Sequence, residues 1–218
     1  MTQQSMTKTI TLQYLFDPLC GWCYGASATI AELAQHPSIE LQPLATGLFS
    51  GRGARSMEGF ADQAWQADQR IAQLSGRTFS EAYRSDVLGA KGAMLDSSIA
   101  TLAVTAVSME APERVIEALK TIQEARYVGG KDITSATVVS DLLRGLGLSR
   151  SADLVIEPDE ALLRLLQERT AEAHATMAKF HVQGVPALLV GTGDARQPMN
   201  ASALYSGTQP MLAALGLA

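Results

Sequence analysis

Residues 17–24 read DPLCGWCY, and Cys20 and Cys23 within it are the only cysteines in 218 residues. The eight residues before Asp17, TITLQYLF (9–16), are β-branched and aromatic, the signature of a strand. Asp17-Pro18 ends that strand. From Gly21 the chain runs GWCYGASATIAELAQH, rich in alanine, with apolar residues at helical spacing up to Pro37. IELQPLATGLF (39–49) then reads as a second strand, with Pro43 marking it as an edge strand or an irregular one. The first fifty residues are therefore strand, helix, strand, with both thiols at the turn that enters the helix.

That position carries chemical meaning. The first N–H groups of a helix have no partners within it and carry partial positive charge, an environment that favours a thiolate at Cys20. The thiolate is the nucleophile in disulfide exchange. Cys23, one turn on, is placed to resolve a mixed disulfide or to close an intramolecular one. Two other readings stand beside this. A structural disulfide would leave the thiols inert. A metal half-site would supply two ligands where a structural zinc site takes four, and His36, His174 and His181 all lie far from the pair in sequence. The spacing favours redox chemistry, with no metal and no cofactor beyond a reversible Cys20–Cys23 disulfide.

Beyond Ser50 the pattern changes. GRGAR (51–55) reads as a loop leading into helical spacing over 57–75 and 78–88. LDSS (95–98) offers N-caps for IATLAVTAVSME, Pro112 opens a helix that Gly129-Gly130 closes, and Thr134 or Ser135 caps ATVVSDLLRGLG. No strand is expected between about 52 and 155. Asp159 caps a long helix, EALLRLLQERTAEAHATMAKF, with Leu162, Leu165, Leu166, Ala173, Met177 and Phe180 available for its buried stripe. VPALLV (185–190) is a short apolar strand, LYSG (204–207) its expected partner, and TQPMLAALGLA a closing helix. The fold class is α/β. Residues 1–51 and 156–218 form one β-α-β…α-β-β-α unit, and 52–155 form an inserted all-helical subdomain.

A CxxC at the first helix of such a unit, interrupted by a helical block and followed by Val185-Pro186 at a late strand, resembles the thioredoxin superfamily in its DsbA branch. YLFDPLCGWCYG, LDSS and ARYVGGKDI are similar to stretches of the DsbA-like predicted disulfide isomerases of bacterial cytoplasm. The resemblance spans nearly the whole chain. It implies a protein-disulfide oxidoreductase or isomerase in which Cys20 attacks and Cys23 resolves. It also implies a cis peptide bond before Pro186, with Val185 and Pro186 holding substrate backbone and Gly21 and Trp22 contacting substrate. Partners would be substrate proteins or small thiols and disulfides, with glutathione or another low-molecular-weight thiol as co-substrate. DsbA proteins usually carry Pro-His where this chain has Gly21-Trp22, a change beside Cys20 that leaves the redox direction open between reductant and oxidant. A second enzyme class shares the fold: kappa glutathione transferases and hydroxychromene-carboxylate isomerases, which resemble this chain at ARYVGGKDI but use serine at the Cys20 position. A third class is a non-catalytic binder of peptide or metal.

Other residues carry paired readings. Asp17 either tunes the thiols as a carboxylate or binds local N–H groups in a turn. Arg126, Tyr127 and Lys131 either line a cleft beside the pair or form a solvated helix end. Trp22 is expected to be exposed, and Tyr24 and Trp65 to be core. The net charge of −5 and a pI near 5.2 argue against nucleic acid as partner. No window approaches the roughly 18 apolar residues of a membrane span. MTQQSMTKTITLQYLF lacks the charged start and apolar stretch of a secretory signal, so a cytoplasmic location is expected.

Overall fold

The computed structural model describes residues 9–217; of the stretch 1–16 read for a secretory signal, residues 1–8 lie outside that range. Strand β1 (Ile10–Phe16) leads through the cysteine turn to helix α1 (Gly21–Gly25), helix α2 (Ser27–Gln35) and strand β2 (Ile39–Ala45). The helix expected from Gly21 onward is thus divided at Ala26, beside Gly25, where an added Cβ would lie 2.5 Å from Ile71 Cγ2. A two-stranded ribbon follows, β3 (Arg55–Ser56) against β4 (Met94–Leu95), with helices α3 (Ala61–Ser75) and α4 (Glu81–Tyr83) and a π-helical turn (Arg84–Leu88) between them. Four helices come next: α5 (Ser98–Glu110), α6 (Val115–Tyr127), α7 (Ala136–Gly145) and α8 (Ser149–Ile156). Helix α9 (Glu160–Lys179), strands β5 (Ala187–Val190) and β6 (Gln197–Met199), and helix α10 (Thr208–Ala214) complete the order.

The central sheet has the order β2-β1-β5-β6, with β1 and β2 parallel and the other pairs antiparallel. Pro43 sits in β2, an edge strand, where a missing N–H costs no ladder bond. The alternation of β1 divides the core. Leu12, Tyr14 and Phe16 face α1, α2 and the helical block, whereas Leu15 joins Leu44, Ala173 and Leu189 under α9. Of the stripe expected on α9, Leu162 and Ala173 are fully buried, joined by Thr176; Leu165, Leu166, Met177 and Phe180 are half-buried.

Two expectations need correction. The 52–155 region is not all helical, because β3 and β4 pair within it; two residues per strand are too few for a period-2 signal. The partner of β5 is Gln197–Met199 and not 204–207. Pro198 is tolerated because β6 is the other edge strand, while Asn200 accepts from the Ser202 N–H at 3.0 Å and starts a 3₁₀ turn over Ala201–Tyr205.

Helix α5 runs through the middle of the block, buried continuously from Ala100 to Val107. Its packing against α8, α9 and β2 fixes the block on the sheet. A cluster of Tyr24, Phe79, Tyr83 and Tyr127 joins α1 to α4 and α6, with Tyr24 and Tyr127 stacked 4.6 Å apart and Phe79 edge-on to both.

Candidate active site

Cys20 is the N-cap residue of α1, with extended backbone (φ −81°, ψ 118°), and Cys23 lies within its first turn. Both are free thiols. Cys20 is 6 % exposed and Cys23 fully buried, so access to the pair is through Cys20. The Cys20 thiol donates to the Val185 carbonyl at 3.5 Å. The Val185–Pro186 peptide bond is cis, and both residues are half-buried. Burial pushes the Cys23 thiol well above its ordinary range. Its contact with Cys20 and the charge of Asp17 act the same way, against the Asp17 main-chain N–H. The Tyr14 hydroxyl, buried in β1 without a partner of ordinary hydrogen-bond geometry, faces the same sulfur.

Two bonds from the helical block hold the turn that carries Cys20. Tyr127 Oη donates to the Leu19 carbonyl at 2.7 Å. Ser97 Oγ donates to Asp17 Oδ2 at 2.7 Å. Asp17 is fully buried and also accepts from the N–H groups of Leu19 (2.9 Å) and Phe49 (3.2 Å). Burial raises its carboxyl above the usual range, and these donors pull it back. Asp17 thus satisfies the N–H groups of its own turn and of the segment after β2, as its turn reading expects. Ser97, expected as a helix cap, makes no capping bond to α5. Asp96 Oδ1 accepts from the Ser98 N–H at 2.9 Å in its place.

A cavity of about 200 Å³ opens beside Cys20, Gly21 and Trp22. Phe49, Met57, Phe60 and Leu95 supply apolar wall, and Arg55, Asp68, Tyr83 and Arg126 supply polar groups. Gly21 allows the approach of α3: a Cβ there would meet Asp68 Oδ1 at 2.4 Å. Tyr83 Oη donates to Asp68 Oδ2 at 2.9 Å, and burial raises the Asp68 carboxyl to about 7. Trp22 is half-buried, edge-on to Tyr205 at 5.2 Å, and not freely exposed as expected. Arg126 and Tyr127 are buried in the cavity wall and do not form a solvated helix end, whereas exposed Lys131 does not line the cavity. Asp68 and Tyr83 were not anticipated; nothing in their local sequence marks them, because the packing of α3 and α4 brings them to Gly21. Val185 and Pro186 approach Cys20 from β5 and do not line the cavity.

The histidines stand elsewhere. His36 ends α2 and accepts from the Ser38 N–H, His174 bonds the Thr46 carbonyl at 2.9 Å, and His181 follows α9 at φ 54°. Tyr24 is core, as expected; Trp65 is half-buried with the Arg84 guanidinium 5.1 Å over its ring.

Neither family models nor curated proteins match the chain. Solved structures do. The cytosolic disulfide reductase DsbM from Pseudomonas aeruginosa superposes with a TM-score of 0.82 at 28% identity, covering 95% of this chain and 100% of that one. Its structure with GSH gives 0.77 at 29% identity over 94% and 97%. The chain is a DsbA-like member of the thioredoxin superfamily. It is a thiol-disulfide oxidoreductase. A 2-hydroxychromene-2-carboxylate isomerase shares the DsbA-like fold, with a TM-score of 0.62 at 18% identity over 94% and 97%. Among the described residues no helix is long and apolar enough to cross a membrane.

Proposed function

We propose that this DsbA-like protein is a cytoplasmic disulfide reductase in which Cys20 is the attacking thiol and Cys23 the resolving one. The observation that carries the assignment is the exposure asymmetry within one helical turn: Cys20 meets both the cavity and the cis Val185–Pro186 bond, and Cys23 is sealed behind it. The Cys20 thiolate attacks a substrate disulfide, and one half of the substrate leaves as a thiolate. Cys23 then displaces the bound half and closes the Cys20–Cys23 disulfide. Val185 and Pro186 hold substrate from the sheet side, while Gly21 and Trp22 shape the cavity side. Asp17 positions the turn and tunes Cys23.

The reducing direction and the cytoplasmic location are supported by DsbM, named a cytosolic disulfide reductase. The GSH in its second structure supports a small thiol as the donor that regenerates the dithiol. Residues 52–155 act in this reading as an inserted cap on the 1–51 and 156–218 unit. The experiment is a trap. Cys23→Ser should accumulate a stable mixed disulfide on Cys20, detected by intact mass, and lose turnover, while Cys20→Ser should form none. Full turnover by Cys23→Ser would contradict the assignment and favour transferase-type chemistry on the same fold.

A further inference from the structure

Arg126 is unusual among the cavity residues. It is 1 % exposed, yet its Nε and Nη1 have no hydrogen-bond partner among the described residues. The guanidinium lies 5.4 Å from the centre of the Tyr83 ring and 5.7 Å from that of Tyr127. Ring faces attract a cation, but they do not accept its directed N–H groups. The Tyr83 hydroxyl and the Asp68 carboxyl also face this guanidinium, yet leaving Nε and Nη1 without acceptors in a buried setting is costly. The nearby acid, Asp68, accepts from Tyr83 through Oδ2, and it acts on Arg126 by charge without a hydrogen bond to Nε or Nη1. Arg55, an exposed second cation, lies at the same cavity over the Phe49 and Phe60 rings. At about 30 Å³ per water, the 200 Å³ cavity holds about seven waters' volume, room for an amino-acid-sized group.

We infer that the cavity is a subsite for the carboxylate of a low-molecular-weight thiol or disulfide, received by Arg126 while its sulfur reacts at Cys20. This rests on Cys20 being the attacking thiol. Cys20–S forms as the substrate S–S bond breaks, the half outside the cavity leaves as its thiolate, and the carboxylate-bearing half stays bonded until Cys23 displaces it. The site thereby selects anionic small thiols on a protein whose net charge of −5 would otherwise disfavour them.

The test uses Cys23→Ser protein and three disulfides: 3,3′-dithiodipropionate (anionic), bis(2-hydroxyethyl) disulfide (neutral) and cystamine (cationic). Mixed-disulfide formation is followed by mass, and each rate is divided by that of 2-mercaptoethanol with the same disulfide. The anionic disulfide should react about tenfold or more faster than the neutral one, the scale of one charge-assisted bond. Arg126→Gln should collapse that ratio. Should that variant not fold, S-methyl-3-mercaptopropionate, which carries the carboxylate but no thiol, should slow the neutral disulfide's reaction in protein with Arg126 intact. Equal normalised rates, a ratio unchanged in folded Arg126→Gln, or no slowing by the thioether would overturn the subsite and leave the redox assignment standing. No reaction of Cys20 with any of the three would overturn the redox assignment itself.

Discussion

The Ser97 hydroxyl donates to Asp17 Oδ2 at 2.7 Å, across 80 residues of sequence, and ties the helical block to the turn three residues ahead of Cys20. Asp17→Ala would leave this hydroxyl and the Leu19 and Phe49 N–H groups without their acceptor in a buried setting. We expect a loss of about 2–4 kcal/mol in urea unfolding, against about 1 kcal/mol for Ser97→Ala. Equal, negligible losses would show that the tie contributes nothing.

Gly21 stands where α1 and α3 meet. Gly21→Ala places a Cβ 2.4 Å from Asp68 Oδ1 and 3.2 Å from Ile71 Cδ1, so Asp68 must move. The expected cost is about 1–3 kcal/mol, with slower mixed-disulfide formation at Cys20. Gly25→Ala meets Ile71 Cγ2 at 2.5 Å and should destabilise similarly. Paired denaturation and trapping assays separate the two: a Gly21→Ala protein with unchanged trapping rate would remove the α1–α3 contact from the site.

Asp68 carries a pH signature. Its folded pKa of about 7 lies above the ordinary 3.8, so the native state binds more protons than the unfolded one between those values. The contribution of Asp68 to stability therefore falls as pH rises through about 4 to 7 and levels off above. The groups facing it are Tyr83 and Arg126. Asp68→Asn removes this slope, so its stability relative to the parent should improve from pH 4 to pH 8, by roughly 4 kcal/mol as an upper bound. A stability difference independent of pH would mean that Asp68 is ionised at an ordinary pKa.

Cys23 should limit resolution. Its thiol is held protonated beyond the ordinary range by burial, Cys20 and Asp17. Decay of a preformed mixed disulfide on Cys20 should accelerate with pH and show no plateau below about pH 8.5, the ordinary thiol value. Stopped-flow measurement across pH 6–10 checks this; a plateau near pH 7 would contradict it.

The strand, cysteine turn and helix at the start were legible in sequence because each depends on local features: β-branched run, Asp-Pro break, alanine-rich helical spacing. The late Val185-Pro186 strand was equally visible, and Ser135 and Asp159 cap their helices as their positions suggested, accepting from the N–H groups of Val138 and Leu162. What sequence could not carry was long-range. The β3–β4 ribbon is set by pairing across 40 residues and not by its own pattern. Ser97 looked like a cap because the competing acceptor, Asp17, is distant in sequence. Arg126 carried two readings in sequence, cleft wall and solvated helix end, and only the fold of α3, α4 and α6 against α1 decides for the wall. The cavity is built from such contacts, so its chemistry appears only in three dimensions.

Cys20 and Cys23 should form one reversible redox couple poised for reduction. The measurement is an equilibrium titration in glutathione buffers, with free-thiol counting and the fluorescence of Trp22 and Trp65 as readouts. A reductase couple gives a single cooperative transition losing both thiols together, with a midpoint nearer about −270 mV than about −120 mV. Retention of two free thiols across the whole range would contradict it, and a midpoint near −120 mV would reverse the direction assigned here.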